Sequence, residues 1–182
     1  MIMTVEELKR YIATDEENQV LEARLSALEL LIRAYTNNNF QLRTFRAVAD
    51  AEGRSLKTAS PLPFAPGDTL QITDSDLQEN TLVTISTIEN GTITVDKELY
   101  EETGVVITKV HYPADVKMGA ANLMKWEIEN REKVGVASES ISRHSVTYVA
   151  MDAANTAAGY PVALMGFLLP YVKARFGRGV DA

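Results

Sequence analysis

Hydrophobic positions follow a helical period at both ends of the chain and a period of two in the middle. Thr4 with Glu7 three residues later is a capping box, and Val5, Leu8, Tyr11 and Ile12 make a short apolar face, so a first helix is expected there. Thr14 or Asp15 then N-caps a second helix, with the acidic residues that follow set against the positive end of its dipole. Along this helix Val20, Leu21, Ala23, Leu25, Leu28, Leu31, Ile32 and Tyr35 form a broad apolar face, while Glu22, Arg24, Glu29 and Arg33 lie mostly elsewhere. Asn37-Asn38-Asn39 ends it. The pair reads as a helical hairpin that needs a third helix to cover it.

From 40 to 113 the pattern changes to strands. Pro66-Gly67-Asp68 is a turn in front of Thr69-Leu70-Gln71-Ile72. Further strands are expected at 81–88, 92–95 and 105–110. Asn90-Gly91 between Ile88 and Ile93 is the strongest short-range hairpin signal in the chain. Several short strands rich in β-branched residues predict a small antiparallel β-barrel or sandwich inserted between helices.

After Tyr112-Pro113, apolar Met118, Ala121, Leu123, Met124, Ile128 and Val134 recur mostly at three and four residues and predict a long central helix with Gly135 as its C-cap. The serine-rich stretch Ser138-Glu139-Ser140-Ile141-Ser142 reads either as a contact surface or as a solvated linker, and leads to a strand at Val146-Thr147-Tyr148. The small-residue run 152–159 is a linker. Tyr160-Pro161 then opens a terminal apolar helix that Pro170 bends or restarts, and its far end carries Tyr171, Lys173, Arg175, Phe176 and Arg178. These elements give an α+β chain: a helical bundle of three to four helices with the small β domain inserted. The divisions fall at 1–39, 40–112 and 113–182.

Composition narrows the function classes. The chain has 182 residues and no cysteine, which removes disulfides, thiolate metal sites and cysteine nucleophiles. His111 and His144 are its two histidines, a poor supply for zinc. No apolar run reaches the roughly 20 residues that cross a bilayer, and the opening is an amphipathic helix, so no membrane association and an intracellular location are expected. A formal net charge of −7 argues against a surface that grips nucleic acid throughout.

Catalytic signatures are missing. No P-loop, G-x-G-x-x-G, H-E-x-x-H or G-x-S-x-G occurs. Asp74, Asp76 and Glu79 lack the full calcium-loop spacing and read as an acidic turn. His144 beside Ser145 is a sequence neighbour, and neighbours in a strand point to opposite faces. No enzyme activity and no cofactor are expected.

Several short motifs resemble the head-tail connector (adaptor) proteins of long-tailed bacteriophages and prophage-derived particles. They are Thr4-Val5-Glu6-Glu7-Leu8-Lys9, the helix end Ala34-Tyr35-Thr36, Tyr112-Pro113 before a long helix, and Gly135-Val136-Ala137-Ser138-Glu139-Ser140-Ile141-Ser142 followed by Ser145-Val146-Thr147-Tyr148. Tyr160-Pro161 with Leu168, Leu169, Pro170 and Tyr171 completes them. The resemblance covers 1–39 and 113–176, whereas the smallest members of that family lack the β insert.

The resemblance implies a virion protein of the neck, assembled in the host cytoplasm, that forms a homo-oligomeric ring of about twelve copies closed by a heterologous interface. Such a ring sits between the portal protein and the tail or stopper protein and extends the DNA channel. Double-stranded DNA passes through it without specific binding. On this basis Tyr171, Lys173, Arg175, Phe176 and Arg178 are expected at the portal. Ser138, Glu139, Ser140, Ile141, His144, Val146 and Tyr148 are expected at the subunit interface, together with the exposed side of the central helix, and the β insert is a possible contact with the capsid. The alternative is a nucleic-acid-binding module using the inserted β-barrel. It is poorly supplied, since between Gly67 and Val110 the aromatic is Tyr100 and the basic residues are Lys97 and Lys109.

Overall fold

The computed structural model describes residues 1–59, 64–131, 138–141, 144–147 and 155–174. The chain divides into two compact units: Asn39–Tyr112 together with Met1, and Ile2–Asn38 with Pro113–Ala182.

The first unit is built on one four-stranded antiparallel sheet, order β1-β4-β2-β3, formed by β1 (Gln41–Lys57), β2 (Thr69–Thr73), β3 (Leu82–Glu89) and β4 (Thr92–Val110). The Asn-Gly hairpin forms as its residue types require: Asn90 and Gly91 take φ of 50° and 81°, and Ile88 faces Ile93. Sequence periodicity leaves 96–104 between two strands, but β4 runs through it. Leu99 and Glu102 pair with Gly53 and Ala51 across bulges, and Gly53 takes a positive φ at one of them. The core is a single cluster of alternating inward positions, among them Leu56, Leu70, Ile72, Ile93, Val105 and Ile107.

In the second unit α1 (Val5–Leu8) starts as the capping box demands, Glu7 N–H donating to Thr4 Oγ1 at 3.1 Å. It runs for one turn only. α2 (Asn18–Thr36) begins later than Thr14 or Asp15, because Thr14 Oγ1 accepts from Glu16 N–H in a local turn. It ends on Asn37 in the left-handed conformation. α3 (Ala114–Asn130) follows Pro113 and buries Val116, Ala120, Leu123 and Met124. β5 (Ser138–Ile141) and β6 (His144–Thr147) pair antiparallel, as do the two-residue strands β7 (Thr156–Ala157) and β8 (Tyr160–Pro161). α4 (Val162–Met165) passes into a 3-10 segment, Gly166–Tyr171.

The expected architecture is therefore corrected. The chain is mixed α/β, and among the described residues there is neither a closed barrel or sandwich nor a bundle of long helices. β3 bends to pair with both β2 and β4, while β1 pairs with β4 alone, so the described sheet keeps an open edge. The bundle fails because, among the described α-helices, only α2 and α3 run beyond about one turn. At the C-terminus Pro170 cannot donate into an α-helical ladder, and the tighter 3-10 segment replaces the expected helix. The serine-rich connector is also a strand over Ser138–Ile141, and the expected C-cap at Gly135 lies outside the described residues.

Candidate functional site

The C-terminal segment crosses the end of α2 and the start of α3. Phe167 lies over Gly119, where a Cβ atom would stand 2.5 Å from the ring. Four residues on, the Tyr171 hydroxyl bonds both carboxylate oxygens of Asp115 at 2.8 Å, which raises the phenol pKa above its ordinary value. The main chain is then tied to the α2 terminus. Asn38 Nδ2 donates to the Tyr171 carbonyl at 3.2 Å, Lys173 N–H to the Thr36 carbonyl at 2.8 Å, and Asn37 Nδ2 to the Ala174 carbonyl at 3.1 Å. The Thr36 carbonyl, left without an intrahelical partner, is answered by this strap. It leaves Leu169, Val172 and Lys173 exposed, with Tyr171 half-buried as the anchor.

A second cluster closes the other end of α3. The Arg131 guanidinium centre lies 5.3 Å from the Trp126 ring and 5.1 Å from the Tyr160 ring. It also grips Glu127 through Nε at 2.9 Å and through Nη2, while its Nη1 donates to the Gly159 carbonyl at 3.2 Å. Burial works to raise the Glu127 pKa, but hydrogen bonds from Arg131 and Tyr160 and the Arg131 charge leave it below the usual carboxylate range. Burial, then the bond to Glu127, pushes Tyr160 up to about 12. A cleft of about 260 Å³ lies alongside, lined by Ala27, Leu28, Leu31 and Met124 with Arg24, Glu127, Arg131 and Tyr160 at its polar side. Each of its charges has a partner, Arg24 with Glu16 at 3.2 Å and Arg131 with Glu127, so the cleft is neutral and offers no pair poised for proton transfer.

The carboxylates beside the acidic turn are engaged in hydrogen bonds within it. Glu102 accepts from Ser75 Oγ at 2.5 Å and Asp76 N–H at 2.7 Å, and Glu79 from Ser75 N–H at 3.1 Å, so these carboxylates close the acidic turn. Among the described residues no group of three His, Asp or Glu is placed to hold a metal ion, and no helix is long and apolar enough to cross a membrane.

Of the residues expected at the portal, Tyr171 and Lys173 lie together on the strap, whereas Arg175, Phe176 and Arg178 fall outside the described residues. Of those expected at the subunit interface, Ser138, Glu139, Ser140 and Ile141 form β5 and His144 and Val146 belong to β6, with Ile141 opposite His144 and Glu139 opposite Val146. Tyr148 lies outside the described residues. Sequence reasoning missed the Trp126, Glu127, Arg131 and Tyr160 cluster, although Glu127 and Arg131 stand at the i, i+4 spacing of a helix ion pair. It also missed Asp115 and Asn38, whose partners are far away in sequence.

No protein-family model matches the chain, and comparison with curated proteins finds no match.

Proposed function

We propose that this protein is a structural subunit of a phage neck, forming a ring of about twelve copies between the portal and the tail or stopper protein and extending the DNA channel. The observation that carries the reading is the strap. It joins stretches that bear the resemblance to connector proteins, the α2 end at Thr36 and the Leu168-Leu169-Pro170-Tyr171 phrase, to the start of α3 through Lys173 to Thr36 and Tyr171 to Asp115. Polar ties of this kind hold Lys173 and the exposed Leu169 and Val172 in place, which suits a docking face toward the portal. The net charge of −7 suits a conduit through which DNA slides without being held.

The test is the mass of the purified protein, alone and mixed with a phage portal protein, by native mass spectrometry. A species near twelve copies in either sample is expected. Absence of both a ring and portal binding would remove the reading.

A further inference from the structure

Surface helices of a globular unit turn one apolar stripe to the core and polar residues to solvent. α2 does not. Leu21, Leu25, Leu28 and Ile32 are buried at 2% exposure or less, yet the opposite side is apolar too: Val20, Ala23, Ala27, Leu30 and Ala34 are all exposed, Leu30 at 63%. Their spacing alternates three and four residues, so they form one stripe about 20 Å long, the pattern against which a second helix packs. The charged residues of α2 stay off this stripe. Arg24 turns to Glu16, Glu22 lies to one side, and Glu29 and Arg33 are buried.

We propose that α2 packs antiparallel against α2 of a second copy of this chain, about a two-fold axis at Ala27. Shape selects this partner. Pairing the stripe with itself in that sense sets Val20 against Ala34 of the other copy, Ala23 against Leu30, and Ala27 against its own equivalent. Each outer level joins a large residue to a small one, and alanine stands where the helices approach most closely. Charge selects the antiparallel sense. The exposed acidic residues Asp15 and Glu17 precede α2 and Glu22 lies in its second turn, together outnumbering the Lys9 ammonium that bonds Asn18 Oδ1 at 2.8 Å there, while Lys173 is exposed and held at the C-terminal end by the bond to Thr36. A parallel pair would bring acid to acid, whereas the antiparallel pair brings acid to lysine and opposes the helix dipoles. The contact is isologous and does not depend on the connector reading: it gives pairs, while a ring requires a heterologous contact.

The chain has no cysteine, so Ala27→Cys introduces a single thiol at the axis. Mild oxidation of the full-length A27C protein is expected to give a covalent dimer of twice 20.1 kDa, while S86C, on an exposed position of β3, stays uncrosslinked. Leu30 is 63% exposed, so Leu30→Glu should leave the circular dichroism spectrum and melting temperature unchanged while weakening dimerisation at least tenfold in sedimentation equilibrium. A monomeric wild-type protein, crosslinking of S86C equal to that of A27C, or a dimer indifferent to Leu30→Glu overturns the proposal. A ring in which A27C does not crosslink overturns it as well and leaves the connector reading standing; a crosslinked dimer that neither forms a ring nor binds portal does the reverse.

Discussion

At Gly119 the ring of Phe167 occupies the space a side chain would need. Alanine there gains helix propensity of about 1 kcal/mol. The overlap costs more, since a Cβ at 2.5 Å forces the ring and the 3-10 segment away from α3. Gly119→Ala should therefore lower stability by a net of roughly 1 kcal/mol or more in urea titration. Tyr160 gives a pH prediction. Its pKa is near 10 unfolded and about 12 folded, so the folded state holds the proton more tightly; the stability from the neutral phenol is complete below pH 10 and is lost as pH rises toward 12. Tyr160→Phe removes this ionisation, and its stability between pH 9 and 11.5 should fall less steeply than that of the wild type. Equal slopes would mean that Tyr160 titrates as it does in the unfolded chain. Glu127 works in the opposite direction, its contribution being present above the ordinary carboxylate range and lost as pH falls through its lowered pKa.

Among elements, the C-terminal strap and the long strand β4 depend most on distant partners. Tyr160, Met165 and Leu168 are buried, so ending the chain after Gly159 strips core from the helical unit. A truncation after Ala174 keeps these residues and all the bonds to Asn37, Asn38, Thr36 and Asp115. The shorter chain is expected to lose helical circular dichroism and become sensitive to protease, while the longer one should melt close to the wild type; the reverse order would show that the strap does not hold the unit. In the turn that leads into β4, Gly91 has φ of 81° and its added Cβ would stand 3.2 Å from the Thr58 carbonyl. Gly91→Val should accordingly cost about 1–3 kcal/mol, read as a lowered denaturant midpoint.

For the whole molecule, the β core lies within 47–107, with Phe64 packed on it, so its apolar residues find their partners inside that unit. An isolated 39–112 fragment should keep a sheet spectrum and unfold cooperatively. A fragment without such a transition would place part of its stability elsewhere in the chain.

Local chemistry in the sequence determined the capping box at Thr4, the Asn90-Gly91 hairpin, the end of α2 at its asparagines and the start of α3 after Pro113, because each is decided by residues within a few positions of one another. The same reasoning stopped α1 too late, split β4 and extended the C-terminal helix, since periodicity carries no information about bulges or about where a segment tightens from α to 3-10 geometry. Only the tertiary structure decided that β3 bends between two partners and the described sheet stays open, and that Tyr171 meets Asp115 and Arg131 meets Tyr160. Those contacts join residues 56 and 29 positions apart, and no local propensity specifies such pairings. Of the apolar outer stripe of α2, Val20 and Ala23 were read as part of one broad face and Ala27, Leu30 and Ala34 were passed over, because only the fold showed which side was already covered.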